Sequence, residues 1–276
     1  RPDRGTGDRL ATFRLKSGVA LRGGYAGCGA VDPAVRDYTL HPAVLSGDLA
    51  GNDAANFANY GDNSYHVVTY DEPAATDVLL EGFTVTRGNA NGNTALTNQG
   101  GGIHIRQGLA KCLPGGPTIR HCIVEKNWGL HHGAVNDHGL STVIEHCTIR
   151  QNYAMHEGGG HHIHSCSTAI LNIVIADIVS DGRGVWLWVG ADSEPTCSWP
   201  SSPAFIGCVF ENNSAVSGGA VYGILSTGPS FTGCTFRENT ALIGGGMFLE
   251  TLRDALVEAS DCIEHFATSE GGGVYN

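Results

Sequence analysis

From about residue 80 onward, short apolar runs with a period of two recur at near-constant intervals, each closed by an asparagine and reopened by glycines. IRHCIVEKN (119–127), IEHCTIRQN (144–152), FIGCVFENN (205–213) and FTGCTFREN (231–239) are copies of one unit. Each leads into a glycine-rich segment and a further run: HGAVN (132–136), GGGHHIH (158–164), GGAVY (218–222) and GGGMF (244–248). Worn copies flank them, LEGFTVTRG (80–88) before GGGIHI (100–105), and ASDCIEHFA (259–267) before GGGVY (271–275).

The cysteines measure the period. Cys122 to Cys147 is 25 residues, Cys208 to Cys234 is 26 and Cys234 to Cys262 is 28, while the 61 from Cys147 to Cys208 fits two units plus an insertion. In the unit without a cysteine, Asn172 is expected at its place and Asp177 at the asparagine's. Seven units follow Leu80, and several more are expected before it.

A coil of three short strands has too little apolar surface to fold alone, but coils stacked at about 4.8 Å share one continuous core. The spacing predicts an all-β chain, a single-stranded right-handed parallel β-helix of about 25 residues per coil. Residues 1–276 form one domain, with less regular coils in 1–79 and regular ones in 80–276. Within each coil the cysteine and the second residue after it (Val124, Ile149, Phe210, Phe236) point inward. The asparagine occupies a left-handed turn and bonds to its counterparts in neighbouring coils. The glycine pair permits the second tight corner. No 3.6 period appears, which excludes helical repeats.

Composition agrees with many short strands and turns: 40 glycines in 276 residues and only 16% charged side chains. Sixteen basic against 27 acidic residues, net −11, argue against a nucleic-acid partner. No run of about 18 apolar residues is present, so no membrane span is expected. The chain opens without a signal peptide and closes inside a repeat, as expected for a monomeric domain cut from a longer protein.

The units FENNSAVSGGAVY and FRENTALIGGGMF resemble the repeats of bacterial polymorphic outer-membrane proteins, and LKSGVALRGGYAG, LSGDLAGND and NSYHVV resemble secreted β-helix proteins of planctomycetes and similar marine bacteria. Together these stretches reach over nearly the whole chain. The first resemblance implies secretion or cell-surface display and adhesion. The wider pectin-lyase-like fold implies polysaccharide lyases and hydrolases, and the fold alone does not choose among these activities.

Candidate chemistry lies where the repeat is broken. Insertions at 107–117 and 189–204 leave the coil at one corner with plain coils between them, as the walls of a groove would. Ten of the 13 histidines fall within 101–165. With Ile103, Ile105, Val135, Ile163, Val185 and Leu187 inward, the outward face reads His104 and Arg106, Asn136 and His138, His162 and His164, Trp186 and Trp188, then Tyr222. Imidazoles, a guanidinium and flat rings are what a polysaccharide site uses, although polar outward residues also suit an ordinary exposed sheet.

For elimination on an acidic glycan, the candidate base is among His138, His162 and His164, and Arg106 or Arg183 would neutralise the uronate. His104, Asn136, Trp186 and Trp188 would bind sugar. Hydrolysis needs two carboxylates; Asp137, Glu157 and Asp181 make no clear pair, and Asp137 falls on an inward position. A non-catalytic adhesin remains the alternative.

Residues 101–165 hold five basic and four acidic side chains, and protonation of the histidines is expected to tighten binding of an acidic glycan in mild acid. No cofactor is called for. His162-x-His164 offers two nitrogens to a metal, calcium at Asp48, Asn52 and Asp53 is equally explained by turn residues, and His156-Glu157-Gly-Gly-Gly-His161 lacks zinc-protease spacing. Cys166 with Cys197 is the expected disulfide, with Cys112 as competitor.

Overall fold

The computed structural model describes residues 1–72, 77–106, 115–164, 168–188, 202–224, 228–250 and 255–275, with the Trp188 side chain outside that set. Alternating apolar residues in three short runs per coil produce three parallel sheets, and the chain is a parallel β-helix. Sheet I contains the strands that follow the glycines, among them Ile103–Arg106, Val135–His138, His161–His164, Arg183–Trp188 and Met247–Glu250, together with the strands after the asparagine turns, two residues long at Trp128–Gly129, Tyr153–Ala154 and Val179–Ser180 and longer at Ser214–Ile224 and Thr240–Ile243. Sheet II runs from Ala43–Ser46 to Asp261–Ile263 and sheet III from Ala20–Arg22 to Leu256–Glu258. Seven sheet III strands from Leu79–Glu81 onward mark the seven expected coils.

Parallel register places like residues over like. Sheet III stacks Ile119, Ile144, Ile170, Phe205 and Phe231; sheet II stacks Val124, Ile149, Ile175, Phe210 and Phe236, and all of these are buried. Phe205 stacks on Phe231 at 4.8 Å and Phe210 on Phe236 at 4.7 Å between centroids. Each such side chain contributes roughly 1.5–3 kcal/mol by leaving water.

The cysteine ladder is real and is also a polar ladder. The Cys122 N–H donates to Cys147 Sγ at 3.4 Å, while each thiol donates to the carbonyl two residues before it. Two expected members are displaced. Register puts Ile173, not Asn172, between Cys147 and Cys208; Asn172 takes the left-handed corner instead, at φ +52°. In the last coil Ser260 fills the rung, its hydroxyl accepting the Cys234 N–H at 3.0 Å, and Cys262 falls exposed under Phe236. A hydroxyl does the same hydrogen-bonding work as the thiol, so the polar rung tolerates the exchange.

The asparagines form the expected ladder but not at the left-handed residue. Asn127 donates its backbone N–H and its amide to Asn152 Oδ1 at 2.9 and 3.0 Å, and Asn213 does the same to Asn239. The left-handed position is one residue earlier, at Lys126, Gln151, Asp177, Asn212 and Glu238. Ile178 takes the asparagine's place in the missing coil and His265 in the last.

Before Leu79 the described residues form one widened coil, Ala20–Arg22, Ala43–Ser46 and Val68–Tyr70, with Phe13–Arg14 pairing behind it. Several coils were expected. Two excursions, 23–42 and 47–67, take up the length, the first pinned where Arg36 and the Tyr38 hydroxyl meet buried Glu81, which also pairs with Arg22 and Arg120.

Candidate functional site

The inward set on sheet I is as expected: Ile103, Ile105, Val135, Ile163, Val185 and Leu187 are buried. Two interruptions are polar. Asp137 lies between Ile105 and Ile163, and His161 pairs with Val135, so both face the interior. Neither His161 nitrogen has a partner, and burial pushes its pKa down to about 3.

Outward, register builds two columns. The first runs His104, Asn136, His162, Trp186, Tyr222, Phe248 and Tyr275; the second runs Arg106, His138, His164 and the Trp188 backbone. Flat side chains in register at strand spacing stack. His138 lies over His164 at 4.2 Å and 9°, His162 against Trp186 at 4.6 Å, and Tyr222 over Phe248 at 4.9 Å. Stacking turns ring faces toward one another, so the first column offers ring edges rather than the open faces expected for sugar.

This face is also closed where an exposed one was expected. Asn136 is 0% exposed, His162 3%, His104 6% and Trp186 8%, and His164 is buried too. Only Arg106 and His138 of the pairs described are half-buried. Part of the closure is the 91–99 segment: His66, stacked on His104 at 4.5 Å, meets the Leu96 carbonyl at 2.7 Å, and Gln99 accepts from Asn136 at 3.4 Å.

Asn136 orders the two imidazoles beside it. Its Oδ1 faces His162 Nδ1 at 2.8 Å and its Nδ2 faces His104 Nδ1 at 3.1 Å. An amide accepts at one end and donates at the other, so His162 carries its proton on Nδ1 and His104 on Nε2. The outer nitrogens are then a base at His162 and a donor at His104, and both are buried without a hydrogen-bond partner.

Desolvation holds His104, His132 and His162 well below the usual histidine range, with neighbouring imidazoles adding to it. The gain of positive charge expected in mild acid therefore does not come from these three rings. These rings resist protonation.

His132 was not among the site residues read from sequence. It occupies the corner where five other coils place glycine at φ +57° to +69°, and it does so at φ +56°. Its ring stacks on His162 at 3.8 Å and 4°, and its Nδ1 has no partner. A histidine where the repeat asks for glycine (HGAVN against GGGIH) was the available signal. A non-glycine residue held left-handed, stacked and buried marks a place where local strain is tolerated. The next residue, Gly133, cannot be replaced, because a Cβ would strike the Tyr153 carbonyl of the following coil.

Arg183 is not free to receive a uronate: it pairs with Glu157 at 3.0 Å and lies between the rings of Trp186 and Tyr222. Arg106 forms no ion pair among the described residues. His156 is exposed while His161 is in the core, so that pair does not converge.

Asp48 accepts N–H groups from Gly51 and Asn52 and pairs with Arg87 at 2.9 Å; Asp53 accepts from Asn63 at 2.8 Å. Among the described residues no three His, Cys, Asp or Glu side chains are gathered to hold a metal ion. Residues 107–114 and 189–201 of the two insertions at 107–117 and 189–204, the Trp188 side chain, and Cys112, Cys166 and Cys197 lie outside the described residues.

Residues 207–224 match the family model of the Chlamydia polymorphic membrane protein repeat. No curated protein and no solved structure matches the chain.

Proposed function

We propose that the chain is a surface-displayed β-helix of pectin-lyase-like type that binds an acidic polysaccharide along the second outward column of sheet I and cleaves it by elimination. The observation that carries this is the pairing, in register, of Arg106 with His138 at the half-buried edge of an otherwise closed face. Neighbouring strands are about 4.8 Å apart, so the two side chains can reach one bound uronate residue.

In this reading a neutral His138 takes the C5 proton, the electron pair forms the C4–C5 double bond, and the C4–oxygen bond breaks with the leaving oxygen protonated by solvent. Arg106 stabilises the charge that builds on the carboxylate. Parallel stacking on His164 fixes the His138 ring plane. Behind it His104 and His162, ordered by Asn136, are buried and support the His138 edge rather than touching sugar. The repeat match at 207–224 supports surface display, which serves a non-catalytic adhesin as well.

The test is incubation with pectate, alginate and other polyuronates, reading ultraviolet absorbance of the unsaturated product and binding in parallel. His138→Gln should lower turnover roughly 10²–10⁴-fold with binding retained, and Arg106→Gln should weaken both. Binding without product would leave the adhesin, and neither binding nor product would reject the polysaccharide reading of this face.

A further inference from the structure

A groove on a different part of the surface is built from residues that the histidine face does not use. It runs along the corner between sheet II and the two-residue strands of sheet I, in two lobes of about 360 and 320 Å³ on either side of Phe57. Tyr153 and Trp128, on adjacent coils and stacked at 5.9 Å, wall it on the solenoid side. Phe57 closes it from the 47–67 excursion, 6.1 Å from Tyr153 and edge-on to Tyr60 at 5.2 Å. Tyr60 is itself anchored, its hydroxyl donating to the Lys126 carbonyl at 3.1 Å.

Phe57 is held at φ +59°, with Asn56 and Asn59 also left-handed. A bulky aromatic residue rarely adopts that conformation, and such strain persists where the surrounding structure fixes a side chain in place. Here it directs a ring over the groove. The floor is the row of left-handed corner residues Lys126, Gln151 and Asp177, one from each of three successive coils. They present an ammonium, an amide and a carboxylate at strand spacing.

We infer that this groove binds a neutral oligosaccharide. Phe57, tilted 48° from Tyr153, and the edges of the stacked Trp128 and Tyr153 suit the apolar CH groups of pyranose rings, and a floor of alternating donors and acceptors suits hydroxyls. The volume of each lobe falls within the range of ordinary ligand clefts. Charge decides against a uronate: Lys126 pairs with Glu125 at 3.5 Å, and Asp177 and Asp181 lie close by, the latter accepting from the Tyr153 hydroxyl at 2.6 Å. The site is separate from the histidine face and stands whether or not that face acts on an acidic glycan.

Calorimetric titration of the whole chain with cellotetraose, maltotetraose, xylotetraose and chitotetraose, against tetragalacturonate, tests it. At least one neutral tetrasaccharide should bind. Phe57→Gly and Tyr153→Ala should each weaken that binding roughly tenfold, and His138→Gln should leave it unchanged. Glycine suits a left-handed position, so Phe57→Gly keeps the fold and isolates the ring. Binding of the uronate alone, binding of none of the neutral sugars, or binding that survives both aromatic substitutions would overturn the assignment.

Discussion

Asp137→Asn changes one oxygen to nitrogen inside the solenoid. Asp137 is 1% exposed between Ile105 and Ile163; its Oδ2 accepts the Thr168 hydroxyl at 2.8 Å, its Oδ1 has no partner, and burial pushes its pKa up to about 7. In the unfolded chain the same carboxyl titrates near 3.9. Because the folded value lies above the unfolded one, the group costs nothing in strong acid and destabilises progressively as pH rises from about 4 through about 7. A shift of about three units corresponds to about 4 kcal/mol at pH 8, of which about 2–3 kcal/mol appears between pH 5 and 8. Asparagine keeps the shape and does not ionise, but its amide nitrogen replaces one oxygen and costs about 1–3 kcal/mol at every pH if it finds no acceptor. The variant should therefore gain about 2–3 kcal/mol relative to the native chain between pH 5 and 8. Urea unfolding followed by circular dichroism at several pH values reads this directly. A difference between the two chains that stays constant across that range would show that Asp137 is not a buried carboxyl of raised pKa.

Two further outcomes rest on the same interior. His104, His132, His161 and His162 are held neutral by burial, so their contribution to stability is present above about pH 6.5 and is lost as pH falls below it. His161→Val, which matches Val135 and Val185 on either side, should reduce the acid-side slope of stability by up to about 1.4 kcal/mol per pH unit between about pH 6 and 4, measured by the same unfolding series. In a thiol-labelling assay, Cys28 and Cys262 should react in the native protein, while Cys122, Cys147, Cys208 and Cys234 should react only after denaturation; native-state labelling of any of these four would contradict the inward ladder.

The sequence by itself determined the solenoid and the division of each strand into two faces. Both follow from short-range periodicity: residues two apart share a side, and copies about 25 apart stack. It also carried the signal of the breaks, since Asp137, His161 and His132 stand where other copies carry Ile, Val or Gly, although of these only Asp137 was read as inward from sequence. Local pattern misplaced the degenerate rungs. Ile173, Ser260 and His265 resemble neither cysteine nor asparagine, and register alone assigned them. Tertiary structure decided how open the outward face is, because a strand's pattern says which way a side chain points and nothing about what lies above it. Stacking at 3.8–4.6 Å and the 91–99 segment buried imidazoles that composition presented as a charged surface, and that burial keeps them neutral in mild acid. Tertiary structure alone also joined Phe57 to Tyr153 and Trp128. Those residues come from different coils and from an excursion with no repeat of its own, so no periodicity connects them. They meet only because the coils beneath them are stacked.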